Sequence, residues 1–202
     1  MLTIALPKGR IADETLDRFE KAFGEKFVFE DRKLILEKSG FKFLNVRNQD
    51  VPTYVMHGAA DLGVVGLDVL EEKEYDLIKL LDLKLGRCKV AFGLRAGEKL
   101  NFDKSKITIA TKHEKIAKKY FEQQAMAVEI IKLYGSIELA PLVGLCDCIV
   151  DIVETGETMK QNGLEVGPTI METTAHLIAN KNSFYAKKDL IFDLKDKLEK
   201  FL

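Results

Sequence analysis

Cysteine is scarce in this chain of 202 residues: Cys88, Cys146 and Cys148 provide neither a disulfide framework nor the ligand spacing of a zinc site. Their scarcity fits a reducing cytoplasm. Histidine is as rare, and His57, His113 and His176 adjoin no cluster of acids or cysteines, so they read as structural or surface residues and not as metal ligands. Neither G-x-S-x-G nor H-E-x-x-H occurs, which removes support for hydrolase and metalloprotease readings. No apolar run approaches membrane-spanning length, and MLTIALPKGR at the N-terminus is too short an apolar stretch for a signal peptide. A net charge of -1 supplies no basic field for nucleic acid. Repeats and low-complexity segments are also missing.

What is present is an ordinary globular composition, 47% hydrophobic and 31% charged, in a chain long enough for one large domain or two small ones. Short apolar runs alternate with helix-period stretches, the pattern of an α/β fold. Strands are predicted at Leu2–Leu6, Lys42–Arg47, Asp61–Gly66, Lys89–Arg95, Ile107–Thr111, Ala127–Leu133 and in CIVDIV. Helices are predicted at Ile11–Phe23, from about Pro52, in LDVLEEKE, from about His113 to Gln124, in SIELAPLVGL and around Glu157–Asn162. The tail YAKKDLIFDLKDKLEKFL reads as one closing helix, with Leu190, Ile191, Leu194 and Leu198 packing within the molecule. Chain crossings between two lobes are expected near the 96–106 loop and near 170–176. A chain that starts in one lobe, fills a second and returns would hold its substrate in the cleft between them.

Two turns carry most of the chemistry. The stretch from Val150 to Met159 is an apolar strand ending at Asp151, followed by the turn Glu154-Thr155-Gly156-Glu157-Thr158. That turn offers two hydroxyls, a glycine that lets backbone approach a ligand, and unpaired amides opening a helix, which together suit a phosphate. Asp151 is placed to receive the hydroxyls of a ribose whose 5-phosphate sits in the turn. A capped strand-to-helix turn has the same local pattern. LPKGR follows the first strand, at the edge where ligands of open α/β sheets gather, and Lys8 and Arg10 bracket Gly9. A solvated loop would read alike. Arg32 and Arg47 are surface charges unless they converge with Lys8 and Arg10 on polyphosphate. Gly66 with Asp68 looks like a second ligand-lining turn, although Gly58, Gly63 and Gly66 equally suit close packing. Glu138 opens a helix after a strand, where the dipole also favours an acid.

An acid followed at this spacing by T-G-x-T resembles the phosphoribosyl-diphosphate (PRPP) loop of phosphoribosyltransferases. LPKGR, R-x-x-D-V-P with YVMHGAADLGVVGLDVL, and GSIELAP-x-x-GL-x-D-x-IVDIVETGETM occur in this order. Together they resemble the catalytic subunit of the ATP phosphoribosyltransferase family, in its short form without a C-terminal regulatory domain. The chain departs from the family's pattern at ATKHEK, which lacks an aromatic and a proline after A-T-K, at Cys146-Asp147-Cys148, and at Met159.

The resemblance implies an α/β, two-lobe fold similar to type II periplasmic binding proteins, with the active site in the cleft between lobes. Lobe I would comprise 1–88 plus 176–202, and lobe II 89–175. It implies transfer of 5-phosphoribosyl from PRPP to N1 of ATP with release of diphosphate, the first step of histidine biosynthesis, with Mg²⁺ accompanying the polyphosphates. Lys8, Arg47 and Asp151 would be catalytic. Glu138, Asp151, Glu154, Thr155, Gly156, Glu157 and Thr158 would bind PRPP, and Lys8, Gly9, Arg10, Arg32, Arg47 and Asp68 would bind ATP and diphosphate. Partners would be a second copy of the chain and a regulatory subunit resembling histidyl-tRNA synthetase. Three rivals stand beside this reading. A solute-binding protein normally needs export. A type I phosphoribosyltransferase usually has two adjacent acids where this chain has Val150-Asp151. A structural subunit would not need both turns.

Overall fold

The computed structural model describes residues 1–101, 104 and 106–202. The chain divides into two compact units, Met1–Arg87 with Thr174–Leu202, and Cys88–Thr173. It leaves the first unit inside a long strand, β5 (Ile78–Arg95), and returns inside another, β9 (Leu164–Ala179). The expected crossing near 96–106 falls partly on Phe102, Asp103 and Ser105, which lie outside the described residues.

In the first unit, β1 (Leu2–Pro7) lies parallel to β3 (Phe41–Val46) and β4 (Leu62–Gly66), with antiparallel β2 (Ile35–Lys38) beyond β3 and antiparallel β9 beside β4. β1 reads as a continuous apolar run because both its faces are covered. Leu2, Ile4 and Leu6 enter one core with Leu16 and Phe19 of α1 (Arg10–Phe23), whereas Ala5 enters another with Val51 and Val55 of α2 (Val51–Met56) and Val69 of α3 (Leu67–Lys73). Phe19 is fully buried, 5.0 Å from Phe43 and 5.3 Å from Phe41 in edge-on contacts.

The second unit repeats the plan. Its strands β6 (Ile107–Thr111), β7 (Val128–Lys132) and β8 (Cys148–Val153) are parallel, and β5 pairs antiparallel with β8. Cys148 and Val150 face a core with Ile116 and Phe121 of α4 (Glu114–Gln123); Ile149 and Val153 face another with Ala140 of α5 (Leu139–Leu142) and Met159 of α6 (Glu157–Gln161). Burial pushes the Cys148 thiol up to about 12 and raises that of Cys146, so both are packing residues.

The closing segment departs from the expected single helix. α7 (Lys181–Ala186) and α8 (Lys188–Glu199) are separated at Lys187, whose ammonium lies 2.8 Å from the Asp61 carboxylate. Ile191, Leu194 and Leu198 are buried as expected, but Leu190 points outward. No helix among the described residues is long and apolar enough to cross a membrane.

Candidate active site

Ligand-binding residues of α/β units collect where parallel strands end, because backbone amides and helix starts converge there. In the first unit this edge carries the basic turn. The Lys8 amide donates to Val46 O at 2.8 Å, so Lys8 and Arg47 leave adjacent strands side by side. Gly9 opens α1 at φ 97° and ψ -155°, a conformation closed to other residues. Arg10 lies 3.5 Å from Glu14. Arg32 precedes β2, and since β2 runs against β3, it starts from the edge where Arg47 stands. Lys8, Gly9, Arg10, Arg32 and Arg47 are all exposed, whereas Asp68, in the first turn of α3, is 3% exposed. Asn45 Oδ1 and Asn48 Oδ1 flank Arg47 as buried oxygens with no hydrogen-bond partner among the described residues. Donors for them would come from solvent or ligand.

In the second unit the same edge carries the acid and the turn. Asp151 lies in β8, and Glu154, Thr155, Glu157 and Thr158 are exposed beyond it. Gly156 sits at φ 82°, and a Cβ there would meet Val166 Cγ2 at 2.8 Å, so this position is glycine for conformation and for space alike. The Glu157 amide reaches Thr155 Oγ1 at 3.3 Å. α6 has five residues, so the amides of the turn matter more than any helix dipole. Glu138 immediately precedes α5, after the loop that leaves β7.

The structure also brings in residues that sequence reasoning passed over. Lys112 Nζ lies 3.0 Å, and His113 Nε2 3.7 Å, from Asp151 Oδ1. His113 therefore adjoins an acid after all; parallel pairing of β6 with β8 makes it a neighbour across the sheet. His176 likewise faces Asp82, although burial outweighs that charge and lowers its pKa. The available signal was the strand-end rule itself, since Lys112 follows β6 as Lys8 follows β1.

Fold and strand-end chemistry together define an α/β protein of the two-lobe, type II periplasmic-binding-protein class. A solved substrate binding protein of an amino acid ABC transporter shares that fold, at TM-score 0.62 and 12% identity over 98% of this chain and 91% of its own. Within this class the chain belongs to the ATP phosphoribosyltransferase family, whose HisG model matches residues 47–200. An ATP phosphoribosyltransferase of Wolinella succinogenes is 68% identical over 99% of this chain and 97% of its own length. A chain of the ATP phosphoribosyl transferase (HisG:HisZ) complex from Thermotoga maritima superposes at TM-score 0.83 with 36% identity, covering 99% and 98%. Membership makes the chain a pentosyltransferase of the first step of histidine biosynthesis.

Proposed function

We propose that the two strand edges divide the reaction of PRPP with ATP between them, the second unit holding PRPP and the first the polyphosphates. The observation that carries this is Asp151 in the second half of β8, with the left-handed Gly156 turn just beyond the strand's end at Val153. Thr155, Gly156 and Thr158, with the neighbouring amides, receive the 5-phosphate, and Glu154 and Glu157 complete the PRPP-binding turn. Asp151, with Glu138, accepts the ribose hydroxyls. Lys8, Gly9, Arg10, Arg32 and Arg47 take the diphosphate and ATP phosphates, with Asp68 buried at the same edge. Mg²⁺ arrives with the substrates, whose hard phosphate oxygens suit it.

The chemistry is displacement at the anomeric carbon. The lone pair on adenine N1 forms the new C–N bond while the C–O bond breaks toward diphosphate, which leaves with the electron pair. N1 needs no base to become a nucleophile, so the protein contributes positioning and neutralisation of the departing charge. Lys8 and Arg47, side by side at one edge, suit that second task.

The chain acts in the cytoplasm as the short form of the family, as a homodimer assembled with a histidyl-tRNA-synthetase-like regulatory subunit. The likeness to a chain of the HisG:HisZ complex supports this partner. The test is a mass-spectrometric assay with ATP, PRPP and Mg²⁺, run with and without that subunit. A phosphoribosyl-ATP product is expected, and Asp151→Ala and Arg47→Ala should each lower turnover roughly 30- to 1,000-fold without unfolding the protein. A folded Asp151→Ala protein with wild-type turnover would sink the assignment of the loop.

A further inference from the structure

Among the described residues, the nearest partners of the Asp151 carboxylate gather at one oxygen. Oδ1 accepts the Ile152 amide at 2.8 Å and lies 3.0 Å from Lys112 Nζ and 3.7 Å from His113 Nε2. A buried hydroxyl fastens this arrangement: Thr111 Oγ1 donates to Val150 O at 2.6 Å and accepts the His113 amide at 2.8 Å. The segment after β6 is thereby clamped over β8 at the residue before Asp151. The His113 side chain is 2% exposed and fills the space beside the carboxylate, while the Lys112 side chain, 38% exposed, reaches it from the solvent side.

We propose that Lys112 and His113 are positioning residues for the ribose, pinning Oδ1 so that Oδ2 is left to accept the sugar hydroxyls. A carboxylate turns about a broad, nearly two-fold torsion, and nothing in Asp151 itself selects which oxygen faces the ligand. A cation and an amide on one oxygen select it, and a packed ring hinders rotation. The acceptor is then oriented before the sugar arrives, and the ordering cost does not fall on binding. This inference rests on the reading of Asp151 as the ribose acceptor. Its consequence is discrimination by the hydroxyls themselves, separate from affinity for the 5-phosphate.

The test is competition of ribose 5-phosphate and of 2-deoxyribose 5-phosphate against PRPP in equilibrium binding. Wild type should prefer the ribose compound by roughly tenfold or more, the value of a hydrogen bond to a charged group. Lys112→Met and His113→Phe should bring the two competitors to near equality, chiefly by weakening the ribose compound. Lys112→Arg should restore most of the preference. A wild type that does not discriminate overturns the proposal, as does a folded Lys112→Met that keeps the wild-type ratio. The half-exposed Lys112 keeps the test decisive if His113→Phe does not fold. Failure of the broader reading looks different: wild type would bind neither sugar phosphate nor PRPP and would form no phosphoribosyl-ATP.

Discussion

Gly156 concentrates two constraints at one position. Its φ of 82° and the 2.8 Å approach that a Cβ would make to Val166 both act against any side chain. Gly156→Ala should therefore flatten or shift the turn, costing about 1 kcal/mol or more in stability. PRPP binding should fall much further, because the amides of the turn would no longer converge. Isothermal titration of PRPP together with a thermal melt separates these effects. A variant that binds PRPP as wild type does would remove the turn from the site. Gly9 is the counterpart in the first unit, with open space around it and conformation as its sole constraint.

At the scale of elements, one carboxylate holds the junction of the two C-terminal helices, whose apolar side chains Ile191, Leu194 and Leu198 enter the core. Burial pushes the Asp61 carboxyl up, but hydrogen bonds from Lys187, the Thr3 amide and Ser183 outweigh this and hold it below the ordinary range. On β5, burial of Asp82 is likewise outweighed by Lys84 and Thr174, and its pKa falls to about 2. Both groups are depressed in the folded state, so the unfolded chain takes up protons first as pH falls. Their contribution is complete above about pH 5 and is lost progressively as pH drops toward 2. Asp61→Asn should cost about 1–3 kcal/mol at pH 6, and its gap from wild type should narrow at pH 3 in denaturant titrations. A gap independent of pH would remove Asp61 from the acid response. The same elements show where the sequence was hard to read. The first half of β5 was missed because Lys84 (φ 57°) and Gly86 (φ 58°) break the two-residue period. β9 was missed because Gly167-Pro168 within it reads as a turn. β2 has four residues, three of them exposed, and little apolar signal.

At the scale of the molecule, each unit has cores of its own, one built around Phe19 and another around Phe92 and Phe121, whose rings lie 5.6 Å apart. Phe121→Ala should cost about 3–5 kcal/mol. Hydrogen exchange should place the lost protection mainly within Cys88–Thr173, and an even loss across the chain would speak against two separately packed units. The sequence by itself determined the order of most elements, the alternation of strand and helix, and the two turns at Lys8–Arg10 and Glu154–Thr158. These are local properties, set by side-chain periodicity and by the backbone freedom of glycine. Tertiary structure decided that Lys8 stands beside Arg47, that Asp61 holds Lys187, and that Lys112 and His113 close on Asp151. Each of these depends on which strands or helices become neighbours and in what register. That choice is made by burial across the whole chain, and no short stretch of residues encodes it.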